Sequence, residues 1–164
     1  MIILGIDPGT ATTGFGIIKR NKNRDFCVID YGCIITEPGV PAGERLQKIH
    51  ADLTKLISVH KPDLVSVESL YFFKNLKTAM PVSQAKGVIL LAAAENKIPV
   101  LEITPLQAKM AIVGYGKADK KQMQKMVKIL LKLEEKPKDK NKRRDDATDA
   151  LAIAICGGLK NFAL

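Results

Sequence analysis

Tryptophan is absent from this chain of 164 residues, and three Tyr and five Phe are its only aromatics. Its core must therefore be built from aliphatic side chains. Cysteine is scarce: Cys27, Cys33 and Cys156 are an odd number with no C-x-x-C pair. That excludes a disulfide framework and a cysteine zinc site, and suits small buried hydrophobes in a reducing compartment. No apolar run approaches the ~20 residues a bilayer span requires. The N-terminus passes straight into a strand pattern without the layout of a signal peptide, so a soluble cytoplasmic protein is expected. A Lys-rich amphipathic terminal helix and a lipidation signal are also missing, which argues against a membrane surface as partner. Acid is in deficit, with 17 Asp and Glu against 26 Lys and Arg, a net charge of +9. On a chain of this length the excess favours a polyanionic partner, most simply nucleic acid. A basic balance that serves only solubility is the plainer alternative.

With 46% hydrophobic residues, the chain suffices for one domain with a real core and is short for two. A single domain over 1–164 is expected. Its organising stretch is Ile2-Ile3-Leu4-Gly5-Ile6-Asp7. The unbroken apolar run fits a strand covered on both faces at the centre of a sheet. Asp7 stands where that run stops, and Pro8-Gly9 ends the strand. Two readings of Asp7 stay open here: a turn opener, as Asp-Pro-Gly often is, or a carboxylate that a cation or donors must satisfy.

Further on, 14–19 and 26–35 read as two strands joined to the first in an antiparallel meander. Leu46, Ile49, Leu53, Leu56 and Ile57 recur at helical spacing between Pro41 and Val59. Leu64 to Glu68 is a fourth strand and 99–103 a fifth. A helix is predicted from an N-cap at Thr78 to about Lys97, with Pro81 in its first turn. Its apolar residues do not keep to one stripe, so it needs two partners to cover it. Thr104-Pro105 opens another helix to about Val113, and Lys120 to Leu133 forms the next. Residues 136–144 carry six basic side chains against Asp139 and read as a mobile loop. A last helix is predicted from Asp145 to Cys156, capped by Gly157-Gly158. The expected architecture is an α/β domain with a five-stranded mixed sheet and helices on both faces.

The first and fourth strands both end on an acid, Asp7 and Glu68. If parallel, they deliver both to one carboxyl edge, where α/β sheets build their sites. Asp146 and Asp149 are three apart and share a helix face. First-turn aspartates also cap helices, which would account for Asp145 or Asp146 and less well for Asp149. Convergence of all these acids would require a multivalent cation to hold them ionised. Oxygen-only ligands suit Mg²⁺ or Mn²⁺ better than zinc. In a basic protein this points to two-metal phosphodiester hydrolysis, with ions about 4 Å apart.

Ile6-Asp7-Pro8-Gly9-Thr10, Thr13 to Gly16, Val67-Glu68-Ser69, Lys74-Asn75, Gln84 to Val88, Val113 to Gly116 and Asp146 to Ala154 together resemble the RuvC-type Holliday junction resolvases. The match runs in order over nearly the whole chain. The resemblance implies a ribonuclease H-like fold, a homodimer, and Mg²⁺-dependent paired nicking of four-way DNA junctions. A branch-migration motor is implied as a further partner. Family catalytic acids fall on Asp7, Glu68, Asp146 and Asp149, the last a position where some members carry histidine. Asp145 is an extra acid outside the matched motif. Lys109 and Lys120 match family lysines placed by the scissile phosphate, where they could neutralise developing charge. Tyr71, Phe72 and Phe73, interleaved with Lys74 and Lys77, could stack on bases opened at a junction centre, with one of Phe72 and Phe73 expected to plug the core. The family usually carries Phe where Tyr71 stands. Lys142, Arg143 and Arg144 belong to a phosphate rail or to a solvated loop. The doubly apolar helix is the expected dimer interface. Two rivals remain: an actin-like ATP-binding domain, which opens with a similar strand, acid and Gly-Thr turn, and a catalytically silent junction-binding module. The first closes two such domains around its nucleotide. The second gains nothing from acids beside phosphates.

Overall fold

The computed structural model describes residues 1–23, 25–69, 76–133 and 142–160, and the side chains of these except 76–78 and 142–144. Strand β1 (Ile2–Asp7) is the middle of a five-stranded sheet. On one side it pairs antiparallel with β2 (Thr12–Arg20), which pairs antiparallel with β3 (Phe26–Ile35). On the other it pairs parallel with β4 (Leu64–Glu68), which pairs parallel with β5 (Val100–Ile103). The spatial order is β3-β2-β1-β4-β5. The apolar run at the N-terminus follows from this place: Ile3 and Leu4 are both fully buried, on opposite faces.

One face carries α1 (Ala42–His60) and α2 (Leu76–Glu95). Ile49, Leu53, Ile57, Ala85 and Ile89 pack there on Leu4, Ile6, Ile17, Val65 and Val67. The opposite face carries α3 (Pro105–Val113), α4 (Lys120–Leu130) and α5 (Lys142–Lys160). There Ile3, Ile18 and Leu64 meet Leu151, Ala154, Ile155, Ile112 and Val127. Thr104 and Asp119 cap α3 and α4, each with a complete capping box. The mixed sheet with helices on both faces is thus the arrangement the sequence implies.

Helix α5 lies unusually close to the sheet. A Cβ at Gly5 would collide with the carbonyl of Ala150, one at Gly14 with the carbonyl of Asp146, and one at Gly16 with Leu151. These strand glycines are therefore a groove for the helix backbone, and the alanines of α5 complete the fit.

Several boundaries differ from expectation: β2 runs from Thr12 to Arg20 rather than over 14–19, and α4 ends at Leu130, three residues short of Leu133, as Lys132 turns to a φ of 51°. Helix α5 does not stop at Gly157-Gly158: both glycines are buried inside it, and it runs on to Lys160. A Cβ at Gly157 would strike the side chain of Ser66 and one at Gly158 the ring of Phe26, so both glycines serve packing. The last turn is held instead by the Arg20 guanidinium, which donates to the carbonyl of Gly158 and lies 5.9 Å from the Phe26 ring centre. The same helix starts at Lys142, so 142–144 are helical backbone and the remainder of the predicted basic loop lies outside the described residues. Helix α2 starts at Leu76, which places Thr78 inside it and Pro81 in its second turn. Among the described residues no disulfide forms; Cys156 is buried in the core as expected, whereas Cys27 is exposed.

Candidate active site

Strand alternation decides where each acid points. Ile3, Gly5 and Asp7 share the α5 face of β1, and Gly5 touches α5 directly. Leu64, Ser66 and Glu68 share the same face of β4, and the register sets Glu68 opposite Ile103, which packs on Ile153 of α5. Parallel pairing of β1 and β4 brings both acids to one edge of the sheet. Above that edge passes the N-terminal half of α5, seated on Gly14 and Gly16, which lowers Asp146 and Asp149 toward Asp7.

Carboxylate oxygens of Asp7, Asp146 and Asp149 all lie within 4.8 Å of one another. Glu68 stands beside this trio, hydrogen-bonded to Asp7 and close enough to Asp149 for their charges to interact. The four acids expected to meet therefore do meet. Asp146 joins the cluster, while Asp145 turns to Lys120 at 3.8 Å. Because α5 begins at Lys142, Asp146 and Asp149 lie beyond its first turn, where neither can serve as a cap.

Burial is the main force on these groups. It pushes Asp7 up to about 8, and the charges of Glu68, Asp149 and Asp146 push the same way. Asp7 thus keeps its proton near neutral pH and donates it to Glu68, which is itself raised by burial and by Asp149. Burial also raises Asp146 and Asp149, each eased by the ammonium of Lys120. Lys120 Nζ sits 2.9 Å from Asp149. Desolvation pulls the Lys120 ammonium down, but the hydrogen bond and charge of Asp149, with Asp145 and Asp146, outweigh it and raise it.

This donor set fits a hard divalent cation. It offers only oxygens, it converges, and its members repel one another in the absence of a cation. One lysine cannot neutralise four acids. The arrangement can therefore hold a metal ion between β1 and α5, with Lys120 at its margin.

Lys109 lies half-buried on α3, and among the described residues no carboxylate lies within ion-pair distance of it. Tyr71, Phe72, Phe73 and Lys74 lie outside the described residues, as do the side chains of Lys77, Lys142, Arg143 and Arg144. The sequence reading gave no role to the strand glycines Gly5, Gly14 and Gly16, although glycine inside a strand is itself a sign of close backbone approach.

A family model described as crossover junction endodeoxyribonuclease RuvC matches residues 3–157. The RuvC of Desulforamulus reducens is 53% identical over 156 residues, which covers 95% of this chain and 92% of that protein. The RuvC of Pelotomaculum thermopropionicum is 50% identical over the same shares. Among solved structures, Thermus thermophilus RuvC superposes with a TM-score of 0.86 at 31% identity, over 99% of this chain and 97% of that one. A second structure, T. thermophilus RuvC in complex with Holliday junction substrate, gives 0.85 at 29% identity over 99% and 96%. Sequence, fold and the acidic edge agree: the chain belongs to the RuvC family of crossover junction endodeoxyribonucleases.

Proposed function

We propose that this chain is a Mg²⁺-dependent endonuclease that resolves four-way DNA junctions by paired, symmetric nicks. The observation that carries this reading is the meeting of Asp7, Asp146 and Asp149, with Glu68 beside them, on one edge of a strongly basic protein. The RuvC of T. thermophilus, similar in fold and sequence, has been solved with Holliday junction substrate. That supports the same substrate for this chain.

In this reading Asp7, Glu68, Asp146 and Asp149 hold two Mg²⁺ ions, for which Mn²⁺ can substitute. Bound there, the ions supply a water activated for attack and neutralisation of the leaving oxygen. Asp7 would give up the proton it donates to Glu68 when the site is loaded, because both acids must ionise to act as ligands. Lys120 leaves its half-exposed pairing with Asp149 to face the scissile phosphate, where its ammonium balances the charge that builds in the transition state. Lys109 serves the same charge from α3. Tyr71, Phe72 and Phe73 stack on bases at the junction centre, and Lys74, Lys77, Lys142, Arg143 and Arg144 contact phosphates.

Paired cuts need two sites, and a two-fold dimer supplies them. Support for the interface comes from α2. Its inner face buries Ala85, Ile89, Ala92 and Ala93, while Met80, Gly87, Leu91 and Ala94 stand exposed at helical spacing on the other side. A single domain over 1–164, a cytoplasmic location and a branch-migration motor as partner complete the reading. Among the described residues no helix is long and apolar enough to cross a membrane.

The test is incubation with a synthetic four-way junction, a linear duplex and an RNA–DNA hybrid, with and without Mg²⁺. Symmetric nicks on the junction alone, dependent on Mg²⁺, are expected. Equal cutting of linear duplex would overturn junction selectivity, and cutting confined to the hybrid would make the enzyme an RNA nuclease.

A further inference from the structure

On the reverse side of the sheet from the acids, three residues, one from α2, one from β5 and one just past the end of β4, converge behind Glu68. Lys86 of α2 places its Nζ 2.6 Å from Glu102 of β5. Ser69, the residue after Glu68, donates its hydroxyl to the same carboxylate oxygen at 3.2 Å. Its backbone N–H also donates to the carbonyl of Ile103 at 2.8 Å, extending the β4–β5 pairing one residue past the end of β4. The Lys86 side chain is 15% exposed and that of Glu102 49%, so one partner of the pair is sheltered against the sheet while the other meets solvent. The Lys86 hydrogen bond holds the Glu102 carboxyl below the usual glutamate range.

Alternation gives the trio its significance. Val67 and Ser69 point toward α2, so Glu68 between them points toward α5. Glu68 accepts a hydrogen bond from Asp7 there and meets the like charge of Asp149, whose repulsion acts to turn the strand end away. β4 is only five residues long, and Glu68 is its last. A hold on Ser69 from the opposite face resists that rotation.

We propose that Lys86, Glu102 and Ser69 are positioning residues, a clamp that fixes the exit of β4 so that Glu68 stays directed at the acid cluster. The clamp touches no reacting atom and acts only through Glu68, and it rests on the reading of Glu68 as one of the acids of the nuclease site. Because Lys86 belongs to α2, the clamp also ties the helix assigned to the dimer interface to the geometry of the acids.

The experiment uses the full chain, with Lys86→Met, Lys86→Arg, Glu102→Gln and the charge swap Lys86→Glu with Glu102→Lys. Four quantities are measured: single-turnover junction cleavage at saturating Mg²⁺, the Mg²⁺ concentration at half-maximal rate, the rise in Tm on adding Mg²⁺, and junction Kd without metal. Lys86→Met and Glu102→Gln are expected to slow cleavage about tenfold, within the range a misplaced group costs. Both are also expected to raise the half-maximal Mg²⁺ concentration and shrink the Tm rise, with junction Kd unchanged. Lys86→Arg is expected to stay within about threefold of wild type, and the swap to recover rate over either of its single changes. Wild-type cleavage rates in Lys86→Met would overturn the clamp. So would a weaker junction Kd in Lys86→Met with a tighter one in Glu102→Gln, because Lys86 would then be a phosphate contact. A rate loss that follows Tm with no change in the Mg²⁺ response would reduce the trio to ordinary stability. If wild type itself fails to cut junctions, the nuclease reading falls, while the Tm response to Mg²⁺ still decides whether the clamp shapes the acid site.

Discussion

Asp7 carries the conflict on which the site is built. Burial and three neighbouring acids raise it to about 8 from an ordinary 3.8. An acid raised on folding stabilises the folded state fully below its unfolded value, and that contribution is lost as pH rises through the folded one. Glu68, Asp146 and Asp149 shift the same way. Metal-free protein should therefore lose Tm steadily between about pH 4 and pH 8, and saturating Mg²⁺ should flatten that slope, as a melting series with and without Mg²⁺ would record. Asp7→Asn keeps a donor for Glu68 and removes the charge. It should raise the metal-free Tm at pH 8 by roughly 2–4 °C per kcal/mol relieved, yet lower junction cleavage by at least about a thousandfold while junction binding survives. A variant at once more stable and inactive would mark the acids as a functional strain. A destabilised Asp7→Asn protein would mean that Asp7 was a structural group. The special place of Asp7 was legible in the sequence, because a charge that ends an unbroken apolar run is costly to desolvate unless a cation or donors meet it.

Among the elements, α5 is decisive, because its distance from the sheet sets the distance between Asp7 and the Asp146/Asp149 pair. Gly14→Ala would press a methyl against the carbonyl of Asp146. Such overpacking usually costs about 1–3 kcal/mol. Thermal unfolding should report that loss, and junction cleavage at saturating Mg²⁺ should fall by more than stability accounts for, because Asp146 itself is displaced. A variant with lowered Tm and an untouched rate would show that the seat of α5 does not govern the site. Local sequence served well for β1, β4, α3 and the start of α4, and it overran the end of α4, which stops at Leu130 rather than Leu133. It misjudged the end of α5, because Gly157-Gly158 has the form of a cap and only the tertiary neighbours Ser66 and Phe26 show why glycine is needed there. The start of α2 was missed for a related reason: Thr78 is a good cap by type, but the helix continues through it.

At the scale of the whole molecule, the sheet order places β1 at the centre, with the acids on its α5 face and α2 on the other. Catalytic chemistry and dimer contact are thus assigned to opposite sides of one sheet. Leu91, 52% exposed on the outer side of α2, can accept a charge without entering the core. Leu91→Asp should therefore leave a folded protein that sediments as a monomer, binds junctions more weakly and no longer makes paired cuts. A folded dimer in that variant would move the interface elsewhere. Composition announced the polyanionic partner, and local turns announced the antiparallel meander of β1, β2 and β3, whereas the parallel pairing of β1 with β4 entered only as a condition. The Lys86–Glu102–Ser69 trio had no sequence signal, since its members are joined only by strand register and by the placing of α2.

The central claim is that acids from β1, β4 and α5 hold divalent cations together. Its most direct measurement is anomalous diffraction from crystals grown with Mn²⁺. The expected result is two peaks about 4 Å apart among the carboxylates of Asp7, Glu68, Asp146 and Asp149, absent in Asp7→Asn. Full Mn²⁺-dependent cleavage from protein whose crystals carry no peak at those residues, or peaks only elsewhere, would contradict it.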